Sequence, residues 1–310
     1  MKTVSLGTTG LAVPNLILGL MRIADKSDDE IRTVVGVARD AGIDFFDHAA
    51  VYGTEPHQCE ARFAEALRLG PADRAELTIQ TKAGIVRGGS FDFSYEHLVS
   101  SVERSLRALR TDYIDVLLLH RPDALVEPDE VARAFDELEA AGKVRAFGVS
   151  NHTPLQIELL KTAVRQPIVA NQLQLSLTHA PIVAQGVAAN MAGLEQSVTL
   201  DGGGILDYCR IHRITVQAWS PFQAGFFTGT FLGSPKYAEL NAVIDRLAAQ
   251  YDVPPIAIAT AWITRHPAGM QVVLGTTSPE RVTGAALGSD LPLTRAEWYE
   301  LFRAAGYRVP

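Results

Sequence analysis

The chain has 310 residues, 47% of them apolar and 20% charged, and its formal charge is −7. That mix is ordinary for a soluble globular protein with a large core, and the acidic balance argues against a nucleic-acid binder, which usually carries a basic stripe. The opening MKTVSLGTTG has no apolar signal region, and no apolar run reaches the roughly 18 residues that span a membrane.

The two cysteines, Cys59 and Cys209, lie far apart and form no CxxC pair. They read as buried thiols of a reducing cytoplasm, not as a disulfide or a metal site. No assembly motif is present, so a monomer is the default expectation.

No linker or low-complexity segment divides the chain, and residues 1–310 read as one domain. In chain order, Lys2–Val13, with Gly7 and Gly10, predicts a hairpin. Eight short, largely apolar runs then read as strands: Leu16–Gly19, Asp44–Asp47, Leu77–Thr81, Ile114–His120, Ala146–Val149, Val169–Gln172, Thr215–Trp219 and Val272–Gly275. Such runs suit parallel strands buried on both faces.

Helical patterns fall between them. Ser27-Asp28-Asp29-Glu30 is a capping box before Ile31, Val34, Val35 and Ala38, and Gly42 marks the stop. Val131, Ala134, Phe135 and Leu138 share a face that ends near Gly142. Thr153-Pro154-Leu155-Gln156 is a second box, with Pro at the first helical position. Ser278-Pro279 and Thr294-Arg295-Ala296-Glu297 start the last two helices. The polar stretch Asn190–Gly204 breaks the alternation after the sixth strand and reads as an enlarged loop.

Alternating strands and helices imply a parallel sheet. Eight rounds suit a closed (β/α)8 TIM barrel with an N-terminal hairpin and an extra C-terminal helix. An open, doubly wound sheet is the alternative. In a barrel the active site lies at the C-terminal ends of the strands. Asp47, Tyr52 five residues on, Lys82 and His120 all fall at strand ends or in the loop just beyond. Asn190–Gly204 would emerge on the same face as a lid or a binding wall.

Each residue has an ordinary reading. Asp47 could cap a helix, His48 could be a satisfied buried polar group, and Tyr52 could pack at the rim. Lys82 could snorkel to water, and His120 could bond a neighbouring loop. Together they suggest chemistry. A phenol has a pKa of about 10, too high to give up a proton readily at neutral pH. A nearby ammonium lowers it, a carboxylate holds the ammonium in place, and an imidazole can position a carbonyl oxygen. Hydride must come from a cofactor.

The segments FFDHAAVYG, QTKAG, LLLHRPD, FGVSNHT, ANQLQLS and QAWSPF occur in the order found in aldo-keto reductases, which the chain resembles over nearly its whole length. The DHA and HRPD forms and the Gly-Tyr-Arg-Val-Pro ending are similar to the family's bacterial YdhF-like branch. The resemblance implies an oxidoreductase that reduces a small carbonyl substrate with NADPH. In that reading Tyr52 donates the proton, Asp47 and Lys82 support it, and His120 contacts the substrate. Ser150, Asn151 and Gln172 would bond the nicotinamide carboxamide, and Trp219 would stack on the ring where many members have Tyr. Ser220, Pro221 and Phe222 would follow the pyrophosphate. Gly275, Thr276, Thr277, Ser278 and Arg281 would meet the adenosine phosphate, with Arg281 the reason to expect NADPH over NADH. The chain departs from the family at three positions and in the loop Asn190–Gly204, which is longer than in the basic pattern. His48 replaces a commoner Thr, and Gly284 and Ala285 stand where many members have a Glu-Asn pair near the adenine.

Other classes find less support. No GxGxxG follows a strand, which disfavours a Rossmann dehydrogenase. Gly148-Val149-Ser150-Asn151-His152 lacks the final Gly of a hydrolase elbow. No HExxH or Cys/His cluster supports a metal. The second hypothesis is a cofactor-binding barrel that serves as a regulatory or sensing subunit with little turnover.

Overall fold

The computed structural model describes residues 1–188, 204–224 and 229–309. The chain begins, as expected, with an antiparallel hairpin of β1 (Thr3–Ser5) and β2 (Ala12–Pro14). Three strands of the main sheet follow: β3 (Leu16–Gly19), β4 (Phe45–Asp47) and β5 (Thr78–Ala83). A two-stranded ribbon, β6 (Ile85–Val86) and β7 (Ser90–Phe91), projects after β5. The remaining strands are β8 (Ile114–Leu119), β9 (Val144–Ser150), β10 (Ile168–Gln174), β11 (Thr215–Trp219) and β12 (Gln271–Leu274). β12 pairs in parallel with β3, so the eight main strands close into a barrel. That closure decides against the open sheet.

Twelve α-helices are found among the described residues. They are α1 (Asp28–Asp40), α2 (Gln58–Leu67), α3 (Pro71–Ala75), α4 (Tyr95–Leu109), α5 (Pro128–Ala140), α6 (Pro154–Leu160), α7 (Pro181–Val187), α8 (Ile205–Ile211), α9 (Ala238–Tyr251), α10 (Pro255–Thr264), α11 (Pro279–Ala286) and α12 (Arg295–Ala304). The predicted capping boxes form at α1 and α6, and α12, whose start at Thr294 was expected, carries a third; in each the hydroxyl and its Glu or Gln partner satisfy free N–H groups reciprocally. Ile31, Val34, Val35 and Ala38 of α1 are buried, as are Val131, Ala134, Phe135 and Leu138 of α5.

The strand limits differ from the apolar runs. β5 continues through Lys82 to Ala83 because both pair with β8, at Leu118 and Leu119. β8 stops at Leu119 and leaves His120 in the loop, and β12 stops at Leu274, before Gly275. β9 and β10 are longer than predicted at both ends, and β4 omits Asp44. Neighbouring strands set these limits, and a local run of apolar residues cannot register them. Of the predicted loop Asn190–Gly204, all but Gly204 lies outside the described residues. Gly204 is the N-cap of α8.

Two apolar regions hold the molecule together. The larger lies between the strands and the helices. The smaller fills the barrel's lower interior with Ile17, Phe45, Val116, Leu118, Ala146, Ala170 and Val273. The hairpin plugs that end with Leu6 and Val13. The plug depends on Gly7, whose φ is +52° and whose added Cβ would lie 2.7 Å from backbone atoms of Val169. Gly7→Ala should therefore destabilise the fold by roughly 1–3 kcal/mol, the usual range for overpacking. Urea unfolding checks it, and an unchanged midpoint would show that the hairpin moves freely.

Candidate active site

Strand geometry carries the reactive residues to one place. Side chains alternate across a strand, so residues two apart share a face. Phe45 points into the barrel, and so does Asp47 above it. The same phase takes Gln80 to Lys82, Leu118 to His120, Ala146 to Ser150, Ala170 to Gln172, Gln217 to Trp219 and Val273 to Gly275. Hydrophobic residues hold most of the lower positions of this face, Gln80 and Gln217 being polar exceptions, and the upper mouth is mostly polar.

A cleft of about 2600 Å³ opens at that mouth. Asp47, Tyr52, His120, Ser150, Asn151, Gln172, Trp219, Ser220, Pro221, Phe222, Gly275, Thr276, Thr277 and Arg281 line it. Lys82 and Ser278 do not. Lys82 lies behind Asp47 and Tyr52, and Ser278 is the N-cap of α11, accepting from the Arg281 N–H at 3.3 Å.

Lys82 is 1% exposed and Asp47 2%. The Lys82 ammonium donates to Asp47 Oδ1 at 2.8 Å and Oδ2 at 2.6 Å, to the His48 carbonyl at 2.8 Å and to Tyr52 Oη at 3.1 Å. These bonds overturn two ordinary readings. Asp47 caps no helix here, and Lys82 does not reach water. Burial is the largest single influence on the ammonium and lowers its pKa, but the charges and hydrogen bonds of Asp47 and Tyr52 together outweigh it, and the Lys82 pKa ends above its ordinary value.

For Tyr52 the balance falls the other way. Burial raises the phenol pKa above its ordinary value, and the Lys82 charge only partly offsets that. The expected net depression is therefore not seen, although the ammonium acts in the expected direction. His120 packs edge-on against Tyr52, with ring centroids 5.9 Å apart. Burial, helped by the charges of Lys82 and Arg121, holds its pKa well below the ordinary value. The imidazole is neutral at pH 7 and can donate a hydrogen bond to a carbonyl oxygen.

His48 also departs from expectation. It is fully buried, yet neither ring nitrogen has a partner among the described residues. Its ring lies edge-on to Phe63 at 4.9 Å, and burial pushes its pKa down to about 4. What the site uses is its backbone carbonyl.

The wall of the cleft around Trp219 is held by a chain of hydrogen bonds. Trp219 Nε1 donates to Asn151 Oδ1 at 3.0 Å, Asn151 Nδ2 to Ser150 Oγ at 2.8 Å, and Ser150 Oγ to the Gln172 carbonyl at 2.9 Å. This chain fixes the indole ring across the mouth. Asn151 and Ser220 adopt left-handed backbones, with φ of +60° and +53°. Such strain in non-glycine residues often accompanies ligand sites. Further along, Thr276, Thr277 and Arg281 lie near the start of α11, and Pro254, Ile256 and Leu287 supply apolar wall. Gly284 lines the cleft and Ala285 is buried, so neither can supply the polar side chains of a Glu-Asn pair. The combination fits a dinucleotide: an aromatic platform, hydroxyls and a cation at a helix start, and an apolar slot.

Sequence reasoning missed two features. Arg121 lines the cleft, with its guanidinium 5.5 Å from the Trp219 ring centroid. Its signal was its place directly after His120. Gln80, Gln217 and Gln271 are fully buried inside the barrel. Their signal was a glutamine recurring within apolar strand runs.

A closed parallel barrel with an acid, a lysine, a tyrosine and a histidine at its mouth defines a class of enzyme. The chain belongs to the Aldo/keto reductase family, whose profile matches residues 15–304. It is an NAD(P)H-dependent oxidoreductase. It is 34% identical to the uncharacterized oxidoreductase YcsN of Bacillus subtilis (strain 168), over 97% of each chain. It is 32% identical to oxidoreductase YdhF of Escherichia coli (strain K12), over 100% of this chain and 99% of the relative. It is 33% identical to a 6-dehydroglucose reductase of Agrobacterium fabrum (strain C58), over 95% of each chain. The likeness to YdhF bears out the branch suggested by the motifs. No described helix is long and apolar enough to cross a membrane.

Proposed function

We propose that the chain reduces an aldehyde or ketone to an alcohol with NADPH, and that Tyr52 is the proton donor. One observation carries this reading: Tyr52 lines the cleft while its hydroxyl sits 3.1 Å from a buried ammonium that Asp47 chelates. The nicotinamide supplies the hydride when bound. Ser150, Asn151 and Gln172 would bond its carboxamide, and Trp219 would cover the ring. Gln172 Nε2 donates inward to Asp47 at 3.1 Å, which leaves its Oε1 as the acceptor for such a bond. His120 would hold the carbonyl oxygen against Tyr52 Oη. As negative charge grows on that oxygen, Tyr52 releases its proton, and Lys82 stabilises the phenolate that remains. We read residues 1–310 as a single domain, and the two buried, unpaired cysteines suit a reducing cytoplasm.

Consumption of NADPH with a panel of aldehydes tests the reading, and 6-dehydroglucose belongs in it because a relative is named 6-dehydroglucose reductase. Saturable turnover is expected. Tight cofactor binding with no turnover on any aldehyde would overturn it and favour a regulatory or sensing subunit.

The preference for NADPH rests on Arg281. Its side chain is exposed at the cleft, one turn into α11, and forms no ion pair among the described residues. A guanidinium there can bond the 2′-phosphate bidentately. Arg281→Ala should weaken NADPH binding roughly 10- to 100-fold and leave NADH almost unchanged. Fluorescence titration of both cofactors decides, and an equal loss of both would remove the phosphate role.

A further inference from the structure

We propose that Gln80 and Gln217 are positioning residues of the catalytic centre, because their side-chain amides form a reciprocal pair across the barrel lumen that fixes the Asp47 carboxylate beneath Lys82. The proposal rests on the catalytic reading of Asp47, Lys82 and Tyr52 given above.

Gln80 stands on β5 and Gln217 on β11, strands that are not neighbours in the barrel. Gln80 Nε2 donates to Gln217 Oε1 at 2.9 Å, and Gln217 Nε2 donates back to Gln80 Oε1 at 3.1 Å. The second N–H of each amide is also used. That of Gln80 goes to Asp47 Oδ1 at 2.6 Å, and that of Gln217 to Gln271 Oε1 at 3.1 Å. Gln271 Nε2 donates to the carbonyl of Pro14 at 2.7 Å, at the base of the hairpin. Gln172 Nε2 joins from β10, bonding both Asp47 Oδ1 and Gln217 Oε1, the latter at 3.2 Å.

The direction of this chain is forced. An ionised carboxylate only accepts, so Gln80 and Gln172 must turn their NH2 groups to Asp47. A fixed carbonyl at Pro14 must receive an N–H from Gln271. Between those ends, every amide has one orientation that satisfies its neighbours. Among the described residues, Asp47 Oδ1 therefore takes three donors, two amides and the ammonium, while Oδ2 takes the ammonium alone. That asymmetry pins the carboxylate rotation and places Lys82 Nζ beside Tyr52 Oη.

Barrel interiors are usually filled with branched apolar side chains, and buried amides destabilise unless fully bonded. Packing alone gives no reason for a polar layer directly beneath the reactive group. Neither Gln80 nor Gln217 lines the cleft, so neither can touch substrate or cofactor.

The test uses the double variant Gln80→Met with Gln217→Met. Replacing both partners with apolar groups of similar shape removes the reciprocal pair together, and the remaining cost is the donor lost by the buried Gln271 Oε1. Circular dichroism should show a folded variant that melts a few degrees below the parent. The kcat should fall roughly 10- to 100-fold, the scale of one hydrogen bond to a charged group. KM and the cofactor Kd should hold. A readout independent of turnover is the ¹³Cζ resonance of Tyr52, assigned by its loss in Tyr52→Phe, which should move in the double variant as Lys82 loses its fixed place.

Gln80→Glu adds a signature that a purely structural role would not give. When protonated, the introduced carboxyl can donate to Asp47 and accept from Gln217. When ionised, it repels Asp47. The deficit of this variant relative to the parent should shrink as pH falls. The other titratable groups around Asp47 are Lys82 on β5, Tyr52 and His48 beyond β4, His120 beyond β8, and Glu60 and Cys59 on α2. All are common to both proteins, so the ratio of the two pH profiles isolates the introduced carboxyl. A folded double variant with kcat within twofold of the parent and an unmoved Tyr52 resonance would overturn the proposal. A fully active Tyr52→Phe would overturn the catalytic reading instead, and leave the resonance result standing.

Discussion

Tyr52→Phe is expected to lower kcat by roughly 10²–10⁴, the usual contribution of a positioned general acid. The ring and its packing are kept, and only the proton is lost. KM for the aldehyde and Kd for the cofactor should change little, because the carboxamide and phosphate contacts lie elsewhere. The alternatives to Tyr52 are weak on geometry and charge. His120 faces Tyr52, but burial keeps its imidazole neutral at pH 7, so it has no readily released proton. Lys82 is charged but sealed behind Asp47 and Tyr52 and is 1% exposed. Single-turnover kinetics with saturating NADPH would measure the chemical step directly. Near-parental rates in the Phe variant would mean that the proton comes from water.

The second large effect is expected from Lys82→Met, roughly 10²–10³ in kcat at neutral pH, the scale of removing one preorganised electrostatic stabiliser. Burial already raises the Tyr52 pKa, and Lys82 is the main group opposing it. Without the ammonium the phenolate left by reduction loses its stabilisation. The reverse reaction needs that phenolate as a base, so the pH at which alcohol oxidation rises should move upward. The variant also strands a buried carboxylate, and breaking such a pair commonly destabilises by about 3–5 kcal/mol. Adding Asp47→Asn removes the stranded charge. The combined variant should recover much of the melting temperature while staying inactive. If activity returned along with stability, the pair would serve the fold and not the reaction.

Local chemistry in the sequence marked out the elements and the candidate reactive groups. The capping boxes at Ser27, Thr153 and Thr294 and the face of Ile31, Val34, Val35 and Ala38 depend on residues three or four apart, and those contacts form in any context that permits a helix. Alternation along a strand likewise fixed that Asp47 shares a face with Phe45, and Lys82 with Gln80. The order FFDHAAVYG to QAWSPF carried the family, and the eight short apolar runs carried the eight rounds of the barrel.

Tertiary structure decided what those groups do to one another. Whether the sheet closes depends on β12 meeting β3, a pairing between the two ends of the chain. Where Lys82 sits in its strand depends on the partner residues of β8. The sign of the Tyr52 shift is a contest between burial and the Lys82 charge, and neither term exists before the barrel assembles. Arg121 over Trp219 and the amide pair of Gln80 with Gln217, 137 residues apart, belong to the same class. A glutamine in an apolar strand carries no local mark of its partner. Closing the barrel takes both amides out of water, and the loss of solvent forces each to find the other.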